Sequence, residues 1–183
     1  DMKELVAYAK ANPGKLAFGH GSSGSLVSAA MLTELANLQT VNVPYKSIPP
    51  ALTDLLGGQI QFAFADTGNA VSQMNGGRLR GLGVTTKRRA GKAPNVPPIG
   101  DTVKDYNVSA WFGLMAPAGI PLDVQKKATA TLMTVLTKPE VREKIQSVGI
   151  DLDIEDSATL AKTIDIEIKK WGTWVKTAGI TPE

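Results

Sequence analysis

The sequence predicts an α/β fold built on a doubly wound, mostly parallel sheet, and three observations carry that prediction. Short apolar runs of strand type alternate with runs of helical period along the first hundred residues. Glycine or Pro-Gly stops the helical runs, at Asn12-Pro13-Gly14, Gly57-Gly58 and Gly76-Gly77. Residues 40–65 hold one complete unit: a strand at 40–43, a loop, a helix opened by Pro49-Pro50 and closed by Gly57-Gly58, and a strand at 60–65. That order is a βαβ crossover, which sets binding loops at the carboxyl ends of parallel strands.

The other elements follow by the same logic. Met2, Leu5, Val6 and Ala9 recur at helical spacing, and residues 15–18 form the first strand. After the loop 19–24, residues 25–37 form a helix with Leu26, Ala29, Ala30 and Thr33 inward. Residues 67–75 predict a further helix and 78–85 a fourth strand. Residues 88–108, with Pro94, Pro97 and Pro98, read as irregular. Residues 109–116 return to strand. Pro121 then opens a helix marked by Val124, Ala128, Leu132 and Val135. Pro139 opens another, with Val141, Ile145 and Val148 inward and Gly149 as its stop. A strand at 150–154 precedes a long helix at 157–177, whose stripe is Leu160, Ile164, Ile168, Trp171 and Val175.

Composition removes several function classes. The 183 residues are 43% hydrophobic and 20% charged, ordinary for a globular domain. A net charge of +3 and one basic run, Lys87-Arg88-Arg89, without interleaved aromatics argue against nucleic-acid binding. With no cysteine and one histidine, disulfides and thiolate or histidine metal clusters have no ligands to draw on. No apolar run reaches the roughly 18 residues of a membrane span. The chain opens inside a helical pattern with no signal peptide, as a mature or trimmed piece would.

The loop Phe18-Gly19-His20-Gly21-Ser22-Ser23-Gly24 leaves a strand and enters a helix. Gly19-x-Gly21-x-x-Gly24 matches the dinucleotide fingerprint in letters. The acidic residue that would hold a ribose is missing, because the next strand ends Val43-Pro44-Tyr45-Lys46. A dinucleotide-binding oxidoreductase, with Lys46 facing a 2′-phosphate, is therefore the alternative. A carboxylate receptor is the main reading: Ser22, Ser23, Gly24 and Ser25 offer N–H groups and hydroxyls where the helix dipole favours an anion. The opposing assignment is that these serines only cap the helix. Gly21-Ser22-Ser23-Gly24-Ser25 lacks the last glycine of a nucleophile elbow, which argues against hydrolysis. Tyr45 and Lys46 end the second strand, while Asp66 and Thr67 end the third. Asp66 either meets a ligand hydroxyl, ammonium or protonated acid, or caps the helix behind it.

Several stretches resemble one family, the Bug or TctC solute-binding receptors of tripartite tricarboxylate transporters. They are LVAYAKANPGKLAFG, VPYKSIPPALTDLLGGQIQFAFADTGNA, GGRLRGLGVTTKRR, AWFGLMAPAGIP and IKKWGTWVKTAGI. Ser25-Leu26 replaces the family's two histidines after the loop, and Ser47 stands where glycine is usual. The resemblance implies a periplasmic-binding-protein-like fold in which residues 1–109 are the family's domain two. Residues 110–183 would be the returning part of domain one, with a hinge near 109–111. It implies a periplasmic receptor that captures a small mono- or dicarboxylic acid for membrane transporter subunits, with no catalysis and no cofactor. It also implies that the first hundred or so residues of domain one are absent. The chain is therefore expected to dimerise, swap or retain another piece to cover Leu132, Ile164 and Trp171.

Overall fold

The computed structural model describes residues 1–177, 179 and 180. A three-stranded parallel sheet organises the first half, in the order β2-β1-β3, with β1 at Leu16–His20, β2 at Thr40–Pro44 and β3 at Phe62–Ala63. Helix α1 (Met2–Ala11) starts on a capping box between Asp1 and Glu4, and its last turn ends ahead of Pro13. Helices α2 (Ser23–Leu35), α3 (Ile48–Leu56) and α4 (Thr67–Asn75) alternate with the strands as the periodicity requires. Three further helices follow: α5 (Leu122–Leu136), α6 (Pro139–Ser147) and α7 (Ser157–Thr177).

One sequence-predicted strand shrinks and three do not form. Strand β3 keeps only Phe62 and Ala63 of residues 60–65. Beside it, the Ala17 N–H donates to the Gln61 side chain at 2.8 Å rather than to main chain, so the ladder is broken there. Residues 78–85 leave the sheet and make a single parallel bridge, Val84 to Pro98. Gly81 and Gly83 lie in this stretch, where a β-carbon would collide with Met74 and Val96 or with Ile99. Those glycines let the backbone press onto side chains instead of pairing with β3. Residues 109–116 and 150–154 form no strand, because an extended segment needs a neighbour for its N–H and C=O groups and none stands there among the described residues.

The core lies between the sheet and α2. Leu16, Phe18 and Phe62 meet Val27, Ala29, Met31 and Leu32, and the irregular stretch supplies Ile99, Val103, Tyr106 and Val108. Residues 88–108 thus carry core side chains despite their lack of periodicity. Buried Tyr106 donates its hydroxyl to the Ser28 carbonyl at 3.0 Å, and burial pushes its pKa upward. In α2 the inward set is Ser25, Val27, Ser28, Ala29, Met31 and Leu32. Of the four sequence-predicted positions only Ala29 is buried; Leu26, Ala30 and Thr33 are half-buried. The helix is covered on more than one side, by the sheet and by α7, so no single stripe marks its inner face.

Helix α7 returns to that core. Its deepest side chain is Trp174 at 9% exposure, stacked edge-on against Trp171 at 5.3 Å, with the Lys170 ammonium 4.4 Å from the Trp174 ring centre. Ile168 of the predicted stripe is 65% exposed instead. Helix α5 buries none of its residues, and Phe112, Leu114 and Met115 stand in solvent. Leu132, Ile164 and Trp171 are half-buried within the chain itself. Removing the one large anchor on α7 has a defined cost: Trp174→Ala is expected to destabilise the protein by about 3–5 kcal/mol. Urea unfolding checks this, and a change under about 1 kcal/mol would show that α7 does not brace α2.

Candidate functional site

The carboxyl ends of the three strands bring three loops to one edge. His20 lies in register with Pro44, and the Tyr45 N–H donates to the His20 carbonyl at 2.8 Å. Residues 21–25 therefore stand beside residues 45–47. On the other side of β1, Gly19 pairs with Ala63, three residues before Asp66. All eight sequence-predicted positions lie on these loops or the first helical turns behind them.

The glycines of the first loop have separate jobs. A β-carbon on Gly21 would collide with the main chain of Ser47 and Ile48, and one on Gly19 with Ile60, Ala51 and Tyr45. Both are needed because α3 and the loop before it press directly on the end of β1. They are filled by the chain's own atoms, which does not favour the dinucleotide reading. Gly24 differs, since a β-carbon there would meet only the Ser22 hydroxyl at 3.9 Å.

The serines divide in the same way. Ser22 is the N-cap of α2, and its Oγ accepts from the Ser25 N–H at 3.2 Å. Ser25 is 6% exposed. Its Oγ accepts from the N–H groups of Gly21 and Ser22, each at 3.1 Å, and donates to the Ser22 carbonyl at 2.9 Å. These two hydroxyls and three N–H groups are thus committed to a capping box. The N–H groups of Ser23 and Gly24 and the Ser23 hydroxyl have no partner among the described residues. The first turn of this 13-residue helix therefore presents two free donors where its dipole is positive.

On the second loop, the Tyr45 hydroxyl donates to Asp54 at 2.7 Å, and that bond, then desolvation, raises its pKa. Tyr45 shapes the rim with its ring. Lys46 is exposed. On the third loop, Asp66 takes the N-cap position of α4 without any side-chain cap bond, so its carboxylate is not spent on its own helix. Thr67 is half-buried at the first position of α4. Sequence reasoning gave His20 no place among the binding residues. It is half-buried at the end of β1, where desolvation lowers its pKa against a raising bond to Asn42. Two concavities, of about 350 and 480 Å³, lie against α7, and neither is lined by these loops.

The model of the tripartite tricarboxylate transporter family receptor matches residues 1–180. The chain belongs to that family. A UPF0065 protein in the TAR-I ttuE-ttuC' intergenic region of Agrobacterium vitis is 31% identical over 182 residues, covering 96% of this chain and 53% of its own. Among solved structures, the R. palustris protein Rpa4515 with adipate superposes with a TM-score of 0.85 at 26% identity, covering 98% of this chain and 61% of that one. The periplasmic binding protein BugD gives a TM-score of 0.80 at 26% identity, over 99% and 62% of the two chains. The chain thus spans about half the length of this curated relative and has the periplasmic-binding-protein fold of the family.

Two measurements separate packing from display in this loop. Gly21→Ala is expected to cost about 1–3 kcal/mol through overpacking, while Gly24→Ala leaves stability unchanged or raises it by up to about 1 kcal/mol. Chemical denaturation reads both, and equal costs would refute the division. The pH dependence of stability has a worked sign. His20 has a lowered folded pKa, so below the ordinary value of about 6.5 the unfolded chain binds its proton more readily. The part of the stability linked to His20 is present above about pH 6.5 and is lost as pH falls through that value toward the folded pKa. His20→Gln is expected to flatten this dependence, as read from urea midpoints at pH 5.5 and 7.5.

Proposed function

We propose that this chain is part of an extracytoplasmic, periplasmic receptor that captures a small mono- or dicarboxylate without covalent chemistry or cofactor and hands it to the membrane subunits of a tripartite transporter. The observation that carries this is the pair of free N–H groups at Ser23 and Gly24, at the positive end of α2 and beyond the central strand. A carboxylate accepts from both, with the Ser23 hydroxyl as a third donor. Ser22 and Ser25 hold that turn rigid. Asp66, free of its own helix, meets a hydroxyl, an ammonium or a protonated acid on the ligand, and Thr67 stands beside it. Lys46 raises the local anion concentration. Residues 1–109 act as the ligand-binding lobe, and residues 110–183 belong to a second lobe from which α7 returns to brace α2. The R. palustris relative solved with adipate supports the ligand class. Among the described residues no helix is long and apolar enough to cross a membrane.

The test is a thermal-shift screen of mono- and dicarboxylates on the whole natural protein. A ligand at a hundredfold excess over its Kd adds about 2.7 kcal/mol. Gly24→Ala is expected to weaken the best ligand, because the methyl group stands among the free donors. Asp66→Ala is expected to change the order of ligands more than the stability. An unchanged order and affinity in both variants would return these loops to a structural role, and no shift with any acid would refute the receptor reading.

A further inference from the structure

The end of α6 meets the start of α4 in a way the sequence does not announce. The Val148 carbonyl oxygen lies 2.5 Å from the place a β-carbon on Gly68 would take. Conversely, a β-carbon on Gly149 would stand 2.6 Å from the Gly68 nitrogen and 3.1 Å from the Thr67 β-carbon. Each glycine makes room for the other's backbone. Gly149 also holds φ at +88°, which turns the chain back after α6. Two residues on, Asp151 accepts from the Gly91 N–H at 3.4 Å. The sequence places Val148 inward, yet its side chain is 60% exposed, because the turn faces α4 with main chain. The contact is close, yet no hydrogen bond among the described residues joins this turn to α4, and the long bond from Gly91 to Asp151 is the tie nearest to it in sequence. Such contacts sit at the low-stability end of a fold and part readily.

We propose that the turn at Val148 and Gly149 is a strap that seats on the N-terminus of α4 and limits the length of ligand accepted beside Asp66 and Thr67. The proposal rests on the carboxylate reading of the strand-end loops. Bulk at Gly68 lifts the strap and lengthens the space; a covalent tie at Asp151 holds it down.

The chain has no cysteine, so Gly91→Cys/Asp151→Cys introduces one thiol pair. In the whole natural protein, oxidation is expected to close that pair without ligand and to shift preference toward succinate over adipate by roughly tenfold, the scale set by one or two methylenes in a fitted pocket. Reduction restores the original ratio. Gly68→Ala is expected to move the ratio the opposite way and to slow the crosslink. Failure of the pair to close, or an affinity ratio unmoved by both changes, overturns the strap. Should Gly68→Ala not fold, the oxidised and reduced forms of the pair decide alone. If the unsubstituted protein binds neither acid, the carboxylate reading falls, and the strap is judged on crosslinking: closure slowed by Gly68→Ala keeps it, while no closure or an unchanged rate ends it.

Discussion

The close approach of main chain to main chain at the end of β1 governs the geometry of the candidate site. Gly21 lies against Ser47 and Ile48 so tightly that no side chain could stand between them. Gly19 admits Ile60, Ala51 and Tyr45 on the same face. The β2–α3 loop is thereby fixed beside the α2 N-terminus, and Tyr45 is held against His20. Were either glycine larger, α3 would shift outward and the loops carrying Tyr45 and Lys46 would leave the edge where Ser23 and Gly24 point. The glycines recognised in the sequence as an anion cradle are thus first a packing device, and the cradle is a consequence of that packing.

Around that contact the polar groups separate into those consumed and those left over. Ser22 and Ser25 answer each other's backbone in a closed set of bonds, which stiffens the first turn of α2. Among the groups left without a partner in the described residues are the Ser23 and Gly24 N–H groups, the Ser23 hydroxyl and the Asp66 carboxylate. Unpaired donors at a helix start are ordinary where water reaches them. Their position beyond the central strand of a parallel sheet is what makes them a candidate site.

The second half of the chain is organised by one helix. Trp174 joins the core of the first half from 66 residues beyond Val108, while α5 and residues 112–115 bury almost nothing. An apolar surface of that kind is uncommon on an isolated soluble monomer, in a chain that spans about half of its curated relative. The stripe on α5 is real in sequence, yet the described residues leave it largely uncovered.

The alternation of elements, the helix stops, the Ser-rich entry to α2 and the family resemblance were legible from residues alone, because period, glycine and proline act locally. The ends of all seven helices fall within two residues of the places these signals mark. The sequence did not reveal that residues 78–85 leave the sheet, that residues 93–108 carry core side chains, or that Trp174 rather than Ile168 is buried. Each depends on which partner is available across the fold, and strand pairing and burial are properties of neighbours rather than of the residue itself. The division among the serines was closed to sequence for a different, local reason: the type of Ser25 says that it can cap or bind, and only its reach to the Gly21 and Ser22 nitrogens decides that it caps. Local chemistry named the loop and spent part of it on its own cap; tertiary contact, through Gly21 against Ser47 and Ile48, set where the remaining atoms stand.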